Sequence, residues 1–137
     1  MLTKKFKTAV LLVMLLVLTI PVAVSASAEK TVDGQIVGLN YATQGHQYST
    51  QMMLVHAQFE PDFVLLISPQ KHYMLPNLPR DVKVKYLGEV VRTKGKIDAK
   101  GTSIIVNELE VKKGNTYQVV WSQKLQKQTM YDLYQVE

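Results

Sequence analysis

The sequence predicts a mainly β domain: a five-stranded Greek-key barrel with one helix between its third and fourth strands and another helix at the C-terminus. Three observations predict it. Beyond residue 28, short runs of alternating apolar and polar residues recur, each bounded by turn residues. One segment, Asn77 to Gly88, breaks that rhythm with helical spacing and helix punctuation. The first run places Gly34 and Gly38 on one face, as happens where a strand bends sharply in a small barrel.

The chain opens with a three-part leader. Lys4, Lys5 and Lys7 form a positive region, Ala9 to Ile20 is uncharged and rich in Leu and Val, and Pro21 breaks it. Ala26, Ser27 and Ala28 then fit the small-x-small pattern that signal peptidase accepts, predicting cleavage after Ala28, or alternatively after Ala26. Residues 1–28 are thus expected to be a signal peptide that sends the remainder to the periplasm or outside the cell. The alternative is a retained anchor, since Thr8 to Ala28 is 21 residues, close to the roughly 20 that span a bilayer. Pro21 and the small residues after it weaken a spanning helix there.

Removing 28 of 137 residues leaves 109, enough for one domain with a modest core. The whole chain has 16 Lys and Arg against 11 Asp and Glu. Three of those cations and none of the anions lie in the leader. The remainder therefore carries 13 against 11, a net +2, which argues little for a polyanion partner. The chain has no cysteine. Disulfides, thiolate metal sites and thiol nucleophiles are excluded, so packing alone must stabilise the fold.

Three units are expected: the leader, a barrel over 29–111 and a C-terminal extension over 112–137. Thr31 to Leu39 reads as the first strand. Asn40 to Asp62 is the least regular stretch, polar and broken by Gly45 and Pro61, with Met52 to Val55 as a helical turn or short strand. It is read as a long loop of roughly twenty residues, a length that is uncommon in compact domains and often functional. Phe63 to Ile67 and His72 to Leu75 are read as two paired strands.

Leu78, Val82 and Tyr86 recur at helical spacing, with Asn77 as a cap, Pro79 in the first turn and Gly88 as the stop. Val82, Val84 and Tyr86 also alternate as a strand would; the punctuation at both ends favours helix. Glu89 to Asp98 and Thr102 to Val111 form a hairpin turned at Gly101, with a bulge near Asn107 or Glu108 where the apolar phase shifts. Tyr117, Val119 and Trp121 add a short strand, and Ser122 caps a helix running to about Leu133.

The runs Gly88 to Asp98 (GEVVRTKGKID) and Gly101 to Val111 (GTSIIVNELEV) resemble the fourth and fifth strands of bacterial OB-fold proteins. The match spans Phe63 to Val111. The chain is similar to small exported, periplasmic OB-fold proteins of unassigned function. The resemblance implies a barrel and a compartment, and it carries no catalytic residue to any position. It implies too that the excursion after strand one and the turn after strand four, Asp98 to Gly101, flank a binding face.

Candidate ligand-binding residues are Tyr41, His46, Tyr48, Tyr73, Arg92, Lys94 and Lys96. Tyr41 and Tyr48 flank the tip of the long loop with His46, and Tyr73 is an aromatic that a neighbouring strand could supply beside the basic one. Arg92, Lys94 and Lys96 lie two apart on a strand, making a cationic ladder with ~7 Å steps. Catalysis has no recognisable constellation: no nucleophile elbow, and no pair of carboxylates placed by spacing. No catalytic residue, resident metal or cofactor is expected. The function expected is a non-enzymatic binding or accessory module whose partner is a protein or an envelope polymer. Two alternatives stand beside it. One is a metal-binding or hydrolytic protein using His46 and His56 with Glu60 or Asp62. The other binds an anionic membrane surface peripherally, or nucleic acid, through the basic strand face. Export and the lack of interleaved aromatics weigh against nucleic acid.

Overall fold

A computed structural model describes residues 28–45 and 49–134. The leader through Ser27, and with it the cleavage pattern, lies outside the described residues, as do His46 and Tyr48. Among the described residues no helix is long and apolar enough to cross a membrane.

Six strands form one antiparallel sheet: β1 (Lys30–Gly38), β2 (Phe63–Ser68), β3 (Lys71–Met74), β4 (Val90–Ile97), β5 (Ile104–Lys113) and β6 (Thr116–Ser122). Their order is β3-β2-β1-β4-β5-β6. Four helices accompany them: α1 (Leu39–Gln44), α2 (Thr50–His56), α3 (Arg80–Lys85) and α4 (Gln123–Tyr134), with a 3-10 turn at Ala57–Phe59.

The period-two pattern of β4 is realised directly. Val91, Thr93 and Gly95 point inward, while Arg92, Lys94 and Lys96 point outward. Because β1 pairs Asp33 with Arg92 and Val32 with Thr93, the same alternation crosses to its neighbour. Ile36, Phe63, Leu65, Leu75, Val91, Ile104, Val106, Leu109 and Val111 are fully buried on the inner side. Leu78 and Leu87, flanking α3, close the core from that side. Gly95 permits a close strand approach: a Cβ there would overlap the Ile105 carbonyl.

The β4–β5 hairpin follows the sequence closely. Gly101 has φ +69°. The Asp98 carboxylate accepts the backbone N–H groups of Thr102 (2.7 Å) and Ser103 (2.8 Å). Those bonds, Ser103 foremost, hold the Asp98 carboxyl below its ordinary range. Lys94 pairs with Glu108 and Gly95 with Val106, so Asn107 is the extra residue of the expected bulge. Ser122 also caps α4 as expected, accepting the Leu125 N–H at 3.1 Å.

The expected helix between β3 and β4 is present as α3, and Gly88 stops the turn after it with φ +80°. Its start differs from expectation. Asn77 does not cap α3; its amide bridges the backbone of Val106, donating at 2.7 Å and accepting at 2.8 Å. Pro79 occupies the cap position instead.

Two features correct the expected five-stranded barrel. First, the sheet has six strands and is open. The Lys113-Gly114-Asn115 turn, with Gly114 at φ +61°, folds β6 back onto β5 and extends the sheet past residue 111. Second, β3 meets the start of β5 through a single parallel bridge, Met74 to Ser103, with the Met74 N–H donated to the Thr102 carbonyl at 2.9 Å. β3 is only four residues long, and Pro76, which has no N–H to donate, follows it too closely for a ladder to grow. The described residues of the expected long loop carry α1, α2 and the 3-10 turn. Met52 to Val55, expected as a helical turn or short strand, lie in α2, which Ser49 caps by accepting the Met52 N–H at 3.4 Å.

Candidate binding surface

The helical insertion between β1 and β2 has a tightly held foot. The Leu39 N–H donates to the Asp62 carbonyl at 2.9 Å, joining its two ends. Glu60 accepts the Asn40 N–H at 2.8 Å. Its carboxylate occupies the space that a Cβ on Gly38 would fill, which is why glycine ends β1. From below, Arg80 of α3 donates to the carbonyls of Glu60 (2.8 Å), Ala57 (3.2 Å) and Pro61 (3.2 Å), and its guanidinium lies 4.7 Å from the Phe63 ring centre. Lys83, only 4 % exposed, donates to the Asp62 carboxylate at 2.8 Å. Asp62 also accepts the Phe63 N–H at 2.7 Å. Two cations of α3 thus fix where the insertion sits.

Above this foot, α2 divides its apolar residues between two directions. Met53 and Ala57, four apart, are buried in the core. Met52, Val55 and Phe59 follow i, i+3, i+7 spacing on another side and are exposed, Val55 by 61 % and Phe59 by 71 %. Leu54 is exposed further round the helix. His56 lies half-buried between the two directions, its ring tilted against Phe59 at 6.4 Å. The result is an apolar patch on a rigid support, formed by residues outside the sequence-predicted set. A signal for it was available: four consecutive apolar residues, Met52 to Val55, cannot all face one core from a helix.

The sequence-predicted residues are dispersed. Tyr41 lies on α1, half-buried against the core. Tyr73 is on the inner side of β3 and 7 % exposed, with the Lys71 ammonium 5.0 Å from its ring centre; it is a core residue. Arg92, Lys94 and Lys96 do share the outer sheet face. Arg92, however, forks onto Asp33 at 2.7 and 3.0 Å and stacks on Tyr117 at 3.9 Å. Lys94 reaches Glu108 at 2.7 Å and Glu110 at 2.9 Å. The Arg92 bonds hold the Asp33 carboxyl below its ordinary range; Glu108 and then Glu110 raise Lys94 above its own. Three carboxylates therefore match two of the three cations, and Lys96 alone stands exposed outside these pairs. The ladder is a cross-strand ion-pair network, with little positive field to offer a polyanion.

The carboxylates considered as metal partners are likewise engaged: Glu60 holds Asn40, and Asp62 holds Lys83 and Phe63. Among the described residues no three metal-ligating side chains converge. Surface clefts among the described residues include two of moderate size. One, of about 460 Å³, lies between β1 and β2 and is lined by Asp33, Gln35, Leu66, Ile67 and Pro69 among others. The other, of about 370 Å³, lies between α3, β6 and α4.

No family model, no curated protein and no solved structure matches this chain.

Proposed function

We propose that this chain is an exported, non-catalytic binding module on an open, OB-like six-stranded sheet, and that the insertion 39–62 recognises a protein partner. The observation that carries the reading is the side shared by Met52, Val55 and Phe59: apolar, exposed, and mounted on a foot fixed by Arg80, Lys83 and Glu60. Apolar side chains gain most from an apolar protein surface, and a Met in such a patch adapts its shape to what it meets. A hydroxyl-rich envelope polymer would leave them poorly matched. Rigid support reduces the ordering cost of binding.

The OB-type reading draws on α3 lying between β3 and β4, on the insertion after β1, and on the parallel bridge from Met74 to Ser103. Export draws on the Lys4–Lys7 cluster, the apolar run and the Ala26–Ala28 pattern.

Affinity capture from the native envelope, read by quantitative mass spectrometry, tests the reading. The Val55→Ser, Phe59→Ser double variant keeps Met53 and Ala57 in the core, so it is expected to fold with an unchanged circular dichroism spectrum. It should lose its captured protein at least about tenfold, since buried apolar anchors dominate interface energy. Undiminished capture of the same protein by the folded variant would refute the insertion as the recognition element. The intact mass of the same purified chain tests export: it should lack the first 28 residues.

A further inference from the structure

We propose that Met52 is an oxidation site, and that its conversion to the sulfoxide by a peroxide turns off recognition by the insertion. This switch rests on the insertion being the element that meets a protein partner. The chain has no cysteine, so its sulfur chemistry lies with methionine alone. Beyond residue 28 the methionines are Met52, Met53, Met74 and Met130. Their surroundings differ. Met53 is 6 % exposed and belongs to the core, and Met74 is half-buried against it. Met52 is 44 % exposed and Met130 48 %. Of these two open thioethers, Met52 lies on the side of α2 that continues to Val55 and Phe59, whereas Met130 lies on α4.

The step is a two-electron oxygen transfer. A lone pair on the Met52 sulfur attacks one oxygen of hydrogen peroxide and the O–O bond breaks. The proton on the transferred oxygen passes to the departing one, which leaves as water. Sulfur is oxidised and the peroxide is reduced, so no further reactant is needed. The product replaces an apolar, adaptable thioether with a polar S–O group that accepts hydrogen bonds. Against an apolar partner surface that oxygen meets no donor, and burying it unpaired opposes binding.

The placement of the two adjacent methionines separates recognition from stability. Successive residues of a helix point about 100° apart, so Met52 and Met53 take different surroundings. A sulfoxide at Met53 would sit among apolar core side chains, but burial keeps peroxide from that sulfur. Met52 gives its side chain to the surface. Its oxidation leaves the core packed, the Ser49 cap on the Met52 N–H intact and the Arg80 bonds at the foot unchanged. The exposed side of the insertion therefore loses apolar character while its support stays in place.

The test treats the purified chain with hydrogen peroxide, removes the excess with catalase, and reads each methionine by peptide mass spectrometry. Met52 and Met130 should oxidise at least about tenfold faster than Met53, following their exposure. In a Met130→Leu background, the oxidised chain should capture its envelope protein at least about tenfold less than the untreated chain, with an unchanged circular dichroism spectrum. Methionine sulfoxide reductases supplied with a dithiol should restore capture. Met52→Leu in the same background keeps the patch apolar and should capture equally before and after treatment. Oxidation of Met53 as fast as Met52, or undiminished capture by the Met52 sulfoxide, overturns the proposal and leaves the recognition reading standing. So does an equal loss of capture when the Met52→Leu chain is treated. An untreated chain that captures no protein overturns the recognition reading itself, and the switch with it.

Discussion

Lys83 is the only lysine among the described residues that is buried, and its ammonium meets the Asp62 carboxylate at 2.8 Å. Removing one partner of such a pair leaves the other's charge without compensation. Lys83→Ala should therefore destabilise the fold by about 2–3 kcal/mol in urea unfolding, short of the about 3–5 kcal/mol typical of fully buried pairs, because the Asp62 side chain is 30 % exposed. Lys83→Met keeps the stem packed and should cost less. Asp33 behaves differently because it is half-exposed, and its effect is one of pH. Held below its ordinary value of 3.8 by Arg92, it stabilises the fold above the ordinary carboxylate range and loses that contribution as pH falls through its lower folded value. Asp33→Asn should therefore lower the thermal midpoint slightly near neutrality, and the gap to the native chain should close below the carboxylate range. A gap that persists into strong acid would show that the pair with Arg92 is not its cause. None of this pairing was legible in the sequence. Arg92, Lys94 and Lys96 read as a ladder from their spacing alone, whereas the neutralisation of Arg92 and Lys94 depends on a register that sets Asp33 and Glu110 on either side of Arg92.

At the scale of the element, the insertion and α3 form one mechanical unit. Arg80 supplies three hydrogen bonds to backbone carbonyls at the insertion's foot. Arg80→Ala should speed amide hydrogen exchange over residues 50–59 while leaving β4 and β5 protected, since those strands share no bond with it. Uniform acceleration across the sheet would contradict this division. The elements the sequence disclosed best are those with local punctuation. Gly88 and Gly101, both at positive φ, stop α3 and turn the β4–β5 hairpin, and the apolar phase slip at Asn107 marked the bulge. Those signals resolved α3 even though Val82, Val84 and Tyr86 also alternate. The insertion gave a weaker signal: Gly45, at φ +69°, stops α1, but a single glycine within a polar stretch reads equally as loop. α2 is seven residues long and apolar in two directions, so no amphipathic period emerges, and its cap at Ser49 sits inside a polar stretch that reads as loop.

At the scale of the whole molecule, the inner sheet face is filled, the outer face of β1, β4 and β5 is neutralised by ion pairs, and apolar exposure is concentrated on α2 with its 3-10 turn and on α4. Sequence reading reached the β class, the antiparallel pairing and the interposed helix. It stopped at closure, because whether β3 can extend a ladder to β5 depends on Pro76 and a four-residue strand, features too local to weigh in a pattern. Concentrated apolar surface on a monomer is a mark of interaction, and the central claim is that the insertion meets a protein there. The most direct measurement places a photoreactive phenylalanine analogue at Phe59 in living cells, with the same analogue at Lys96 as the comparison. The account predicts a discrete higher-mass protein adduct from position 59 and none from position 96. An adduct from position 96 with none from position 59 would contradict it.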